Sequence, residues 1–239
     1  MSERINENEV KPFSWWERLK YVFISPSKAF ENIRHYPKVL FPMLVIIIGM
    51  LVLTLLRVDA MKEYTKEVTI KQYAQMGIDV PQNLDALLEM QVYFAIAGSI
   101  IVLVITWVVK SALINAFSGF VNGTGTFKQS LSVITYSYLP VLLGSIIVTI
   151  ISLVVNRYTI STSLAVFLPD SQIGTFLHTL LTNLDIFVIW YQVLAIIGIS
   201  KVYSISKKSS SILVLGTWIV YILITSGLGA LGTKLTGLA

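Results

Sequence analysis

The chain reads as an all-α membrane protein with five transmembrane helices, a cytoplasmic N-terminus and short interfacial helices before the first span. Three observations predict this. Of 239 residues, 55% are hydrophobic and only 13% are charged, against about 25% charged in a soluble domain. The apolar residues fall in runs of roughly 20, enough to cross a ~30 Å hydrocarbon layer as helix. Inside lipid every backbone polar group must be bonded internally, which selects helices over open strands. The third observation is charge placement. Two apolar runs near the C-terminus flank the loop KVYSISKKSSS, whose Lys201, Lys207 and Lys208 have no anion beside them, so this hairpin keeps its turn in the cytoplasm.

Residues 1–12 are polar and expected to be loose. Residues 13–38 carry the interfacial helices. Phe13, Trp15, Trp16, Leu19, Val22 and Phe23 form an apolar stripe, with Glu17, Arg18 and Lys20 between them. Basic amphipathic stretches with tryptophan favour the headgroup level. Ser25-Pro26 reads as an N-cap followed by proline at the first helical position. The helix it opens places Ala29, Phe30 and Ile33 on one face and Lys28, Glu31 and Arg34 on the other, and Pro37 ends it. Trp15, Trp16, Arg18, Lys20 and Phe30 are the candidate contacts for lipid or a partner.

The membrane domain covers residues 39–232. Its first span is expected at 39–56. Residues 57–91 form an outer segment, with a helix from Asp59 to a stop at Gly77, a turn at Pro81 and Asn83 as the cap of the next helix. This segment is too small to hold its own core, so it must pack on the membrane face or on a partner. The second span covers 91–109, and small residues Ala95, Gly98 and Ser99 allow close approach of a neighbour. Lys110 is expected to end that span at the inner surface. The third span covers 133–155, kinked by Pro140. A second outer loop holds Arg157, Pro169 and Asp170. The fourth and fifth spans cover 180–200 and 212–231, and 233–239 form an outer tail. With the N-terminus inside, inner segments hold twelve of the 18 Lys and Arg and outer segments six, as the positive-inside rule requires. No cleavable signal is expected, because the run from Val39 is too long for one and no small-residue cleavage site follows it.

The net charge of +5 lies beside the spans, where it orients the chain and meets anionic lipid. No nucleic-acid partner is expected. The sequence contains no cysteine, which excludes disulfides, thiolate metal sites and a cysteine nucleophile. His35 and His178 fall on opposite sides of the membrane, so they cannot share a metal or a triad. Gly123-Thr124-Gly125-Thr126 lacks the Lys-Ser or Lys-Thr pair of a phosphate loop and reads as a glycine-rich reversal. Gly144-Ser145 reads as helix packing, and no repeat with inverted pattern is visible. No catalytic residue, cofactor or metal is expected. The polar positions that fall in or at the ends of spans are Lys110, Asn115, Tyr136, Pro140, Asn183 and Asp185. Asp185 reads first as an interfacial cap, with a proton or ion role as the alternative.

The stretches SPSKAFENIRHYPKVLFPMLV, GTGTFKQSLSVITYSYLPVLL and NLDIFVIWYQVLAIIGISKVYSISKKSSSILVLGTWIVYIL resemble the Yip (Ypt-interacting protein) family over roughly residues 15–225. The short N-terminus looks like the bacterial branch. The resemblance implies a five-helix integral membrane domain with no catalytic residue, placed in the bacterial plasma membrane. Eukaryotic relatives bind small prenylated GTPases in vesicle traffic. Some bacterial relatives accompany ABC-type export systems. The reading that follows is an accessory or scaffold protein that assembles with other membrane proteins, ABC exporter subunits among them, with a homo-oligomer as a further possibility. The alternatives are a transporter or lipid-handling protein, in which Pro140, Tyr136, Asn115 and Asp185 line a cavity, and a GTPase-recruiting protein.

Overall fold

A computed structural model describes residues 11–169, 172 and 175–235, with side chains up to residue 231. Among these residues the architecture is helical. Helix α1 (Trp15–Ile24) opens with a capping box, in which the Ser14 hydroxyl accepts from the Glu17 amide and the Glu17 carboxylate accepts from the Ser14 amide. Ser25 alone separates it from α2 (Pro26–His35), which has proline at its first position, where the missing N–H costs nothing. Next come α3 (Leu40–Leu55) and α4 (Val58–Met76), related by a 61° bend. Gly77 closes α4 with φ of +67°, a left-handed conformation that glycine adopts without strain.

Helix α5 (Leu84–Phe117) has 34 residues. Asn83 stands at its N-cap position, but its side chain makes no capping bond. A 3-10 turn and the glycine-rich reversal lead to α6 (Phe127–Ser137) and α7 (Leu139–Val155). Helix α8 (Phe176–Thr182) is short, and α9 (Ile186–Tyr203) and α10 (Lys207–Leu235) complete the bundle. Four stretches are long and apolar enough to cross a membrane: Leu84–Val121, Phe127–Val155, Ile186–Tyr203 and Lys207–Leu231. The bent pair α3 and α4 passes the same test only when the two are taken together.

The structure corrects several expectations about where spans begin and end. The third span starts at Phe127 rather than 133, because Thr126 and Gln129 form a second capping box there. Pro140 interrupts the span, as its missing N–H predicts. It sits in the first turn of α7, after a break at Tyr138, where its lack of an N–H is harmless. The fourth span starts at Ile186 rather than 180, because α8 ends at Asn183 and Asp185 caps a new helix. Asp170, residues 1–10 and residues 236–239 of the expected tail lie outside the described residues. The segment 233–235 continues α10 instead of leaving it.

Helix α9 is the central element and packs against α2, α6, α7 and α10. Ala29, Phe30 and Ile33 of α2 are fully buried in one core with Val133, Ile199 and Tyr203. The N-terminal helices are thus built into one end of the bundle rather than laid beside it. We call this the basic end, since Arg34 and Lys201 pair with Glu31 there and α10 begins beside it with Lys207 and Lys208. Tyr203 fastens the glycine-rich reversal to it. The Tyr203 hydroxyl donates to Asn115 Oδ1 at 3.0 Å, and its carbonyl accepts from the Thr124 amide at 3.1 Å. A Cβ on Gly125 would lie 2.6 Å from the Tyr203 ring. The Gly125→Ala variant is therefore expected to cost about 1–3 kcal/mol, read as a lowered melting midpoint in detergent.

Candidate functional site

Lysine is among the residues least tolerated at the centre of a bilayer, yet α5 carries Lys110 into the bundle with 8% of its surface exposed. Its Nζ donates to Gln192 Oε1 at 2.7 Å and lies 4.4 Å from the centre of the Tyr191 ring. Gln192 lies about 9 Å of helix from the start of α9 and about 16 Å from its basic end. The ammonium is therefore held well inside the hydrocarbon depth. Lys110 was expected at the inner surface. The structure corrects this, since α5 runs on through Phe117 and the flexible lysine stem carries the charge toward the middle of α9.

Aromatic side chains surround the pair. Trp107, one turn before Lys110, meets Tyr138 edge-on at 5.3 Å, and Tyr138 meets Tyr191 at 5.3 Å. The Trp107 indole N–H is buried and has no hydrogen-bond partner. These groups border a cavity of about 430 Å³ between α5, α9 and α10, with Trp218 and Tyr221 of α10 in its lining. Its rim includes Val102, Ile105, Val220 and Ile224, all exposed and so facing lipid. Chemically the cavity carries the Lys110 ammonium and the amide of Gln192 among its lining. Among the described residues, no carboxylate forms an ion pair with Lys110.

A family model for the Yip1 domain matches residues 20–228 of this chain. The chain belongs to the Yip1 domain family. It is also similar to "Membrane protein YknW" of Bacillus subtilis (strain 168), at 29% identity over 206 residues that span 84% of this chain and 86% of that protein. No solved structure matches it. The Yip1 domain thus extends from within α1 to within α10 and contains the whole Lys110 cavity.

Within this Yip1 domain, the sequence-derived candidates fall in three places. Trp15 and Trp16 remain exposed and lean on Phe41, at 4.7 and 6.3 Å between ring centres, and Lys20 is also exposed. Phe30 and Arg18 are corrections. Phe30 is fully buried in the core and meets neither lipid nor a partner. Arg18 faces inward with Val22, one helical turn apart, and its Nη1 donates to the Tyr36 carbonyl at 2.7 Å. That carbonyl lies just past the end of α2, where helix carbonyls lack internal partners.

Asp185 has its carboxylate occupied. It accepts from the Phe187 amide at 2.7 Å, the Val188 amide at 3.2 Å and the Thr162 hydroxyl. Asn115 is held by Tyr203, and Tyr136 and Pro140 are buried. None of Pro140, Tyr136, Asn115 and Asp185 lines the Lys110 cavity, against the expectation that they share one. Of the polar span positions, Lys110 and Asn183 alone border the large one.

Gln192 and Trp107 were missed. A signal existed for Gln192, since it is the one amide in the run IFVIWYQVLAIIGIS, and an amide in hydrocarbon needs a partner. Replacing it by leucine leaves the Lys110 ammonium without its acceptor. Gln192→Leu is expected to cost about 1–3 kcal/mol, checked by thermal unfolding in detergent. The paired Lys110→Met, Gln192→Leu variant is expected to recover most of that loss, because both polar groups are then gone.

Proposed function

We propose that the chain is a non-enzymatic accessory protein of the cell membrane that assembles with other membrane proteins, an ABC-type export system foremost among the candidate partners. One observation carries this reading: the hairpin of α4 and α5 has an apolar tip that none of the described residues covers. The 34 residues of α5 extend about 51 Å, roughly 20 Å more than the hydrocarbon layer. The excess projects beside α4, in which no residue is fully buried. Lys62–Glu89 and Lys66–Asp85 ion pairs tie the two helices together, but exposed pairs contribute little. Met76, Ile78 and Val80 at the tip are 44–54% exposed. Apolar surface grouped on a projecting element marks a contact site.

The test replaces Ile78 and Val80 by aspartate in the full-length chain and measures which proteins co-purify in mild detergent. Wild type is expected to recover transporter subunits stoichiometrically, and the variant to lose them while keeping its melting midpoint. Recovery of wild type alone, or of the same subunits with both chains, overturns the reading. The cavity at Lys110 favours a second reading, lipid handling by the chain itself. Vesicles reconstituted with the protein and showing no lipid movement would count against that one.

A further inference from the structure

We infer that the Lys110 cavity is a binding site for an amphipathic anion taken from the bilayer, a single oxyanion on an apolar body. The inference gives the lipid-handling reading its ligand and does not depend on the partner-assembly reading. Three features of the cavity select this chemistry.

The first is its polarity. Lys110 has three donors and uses one on Gln192. Unsatisfied buried donors are costly. An oxyanion supplies acceptors to the remaining Lys110 donors and neutralises a charge that no carboxylate of the described residues pairs with. The second is access. The rim residues belong to α5 and α10 and are exposed apolar side chains of spans, so the ligand arrives from lipid and needs an apolar body to do so. The third is size. A cavity of about 430 Å³ lies in the range that holds small ligands, and it leaves room for one headgroup and the start of a chain.

The aromatic lining raises a competing chemistry, since boxes of tryptophan and tyrosine also hold quaternary ammonium groups. Lys110 decides against that. Its own ammonium already occupies the Tyr191 face at 4.4 Å, and a second cation placed among Trp107, Tyr138 and Tyr191 would meet it in a medium of low dielectric.

The experiment offers the full-length chain in detergent oleate, phosphatidylglycerol or phosphatidylcholine, and counts bound molecules by native mass spectrometry. One oleate or one phosphatidylglycerol per chain is expected, about tenfold tighter than phosphatidylcholine. Lys110→Met is expected to remove that preference, because a charge-assisted hydrogen bond is worth about a factor of ten. Lys110→Arg keeps it. Preference for oleate assigns a free carboxylate, and preference for phosphatidylglycerol assigns a lipid headgroup. Equal binding of all three, or an unchanged preference in Lys110→Met, overturns the inference and leaves Lys110 and Gln192 a packing pair. Should Lys110→Met not fold, an unchanged preference in Lys110→Gln, which removes the charge but keeps a donor for Gln192, overturns it equally.

Discussion

Replacing Phe30 by alanine is expected to destabilise the protein by about 3–5 kcal/mol, among the largest effects of any single truncation in the N-terminal region. Phe30 is fully buried. It stands where α2 enters the bundle, against Gly198 of α9: a Cβ on Gly198 would meet the Phe30 ring at 3.0 Å. Truncation leaves a cavity that two rigid helices cannot close. It should also release α1 and α2 from the basic end, since α1 is fastened to α2 by the Arg18–Tyr36 and Asn32–Lys11 bonds and α2 is fastened to the bundle by its buried face. Unfolding in detergent measures the first effect, and limited proteolysis near residues 25–38 the second. Trp16→Ala is the control. Trp16 is 75% exposed, and its loss should change stability by no more than about 0.5 kcal/mol. If the two variants changed places, α2 would be a surface anchor and not part of the core.

Gly198→Val is expected to be comparably severe by the opposite mechanism. Even a single Cβ at Gly198 would lie 2.4 Å from Val133 Cγ1, far inside contact distance. Relief requires α9 to move away from α6 and α2 together, because the Phe30 ring closes the other side. Overpacking of a filled core costs about 1–3 kcal/mol and sometimes more, and valine adds two methyl groups to that collision. The cause can be isolated with a milder pair. Gly198→Ala should be destabilising alone and partly rescued by Val133→Ala, which vacates the space its methyl needs. A double-mutant cycle on melting midpoints would show coupling of the two sites. Strict additivity would mean that the helices separate freely at this point.

These two residues also mark how far the sequence could be read. The face made by Ala29, Phe30 and Ile33 was legible, because residues three and four apart share a side of a helix. What that face met was not legible. An apolar face beside a membrane fits the lipid surface as well as it fits α9, and only the packing of α2 into α6 and α9 makes the choice. Arg18 illustrates the same limit with the sign reversed. Its charge placed it on the polar side of α1, but a carbonyl 18 residues away draws it inward.

The sequence by itself determined the helical class, the membrane environment, the end of α4 at Gly77 and the reversal between α9 and α10. Each of these rests on local quantities: the length of an apolar run, the conformational freedom of a glycine, the charge beside a span. The tertiary structure alone decided that Lys110 leaves the surface for Gln192, 82 residues away, and that Trp107 joins it at a cavity open to lipid. The reason is rotational. An apolar run fixes how long a helix is, but not which of its sides faces a neighbour. A lysine near the end of a span therefore reads as a surface residue until the helices around it are in place.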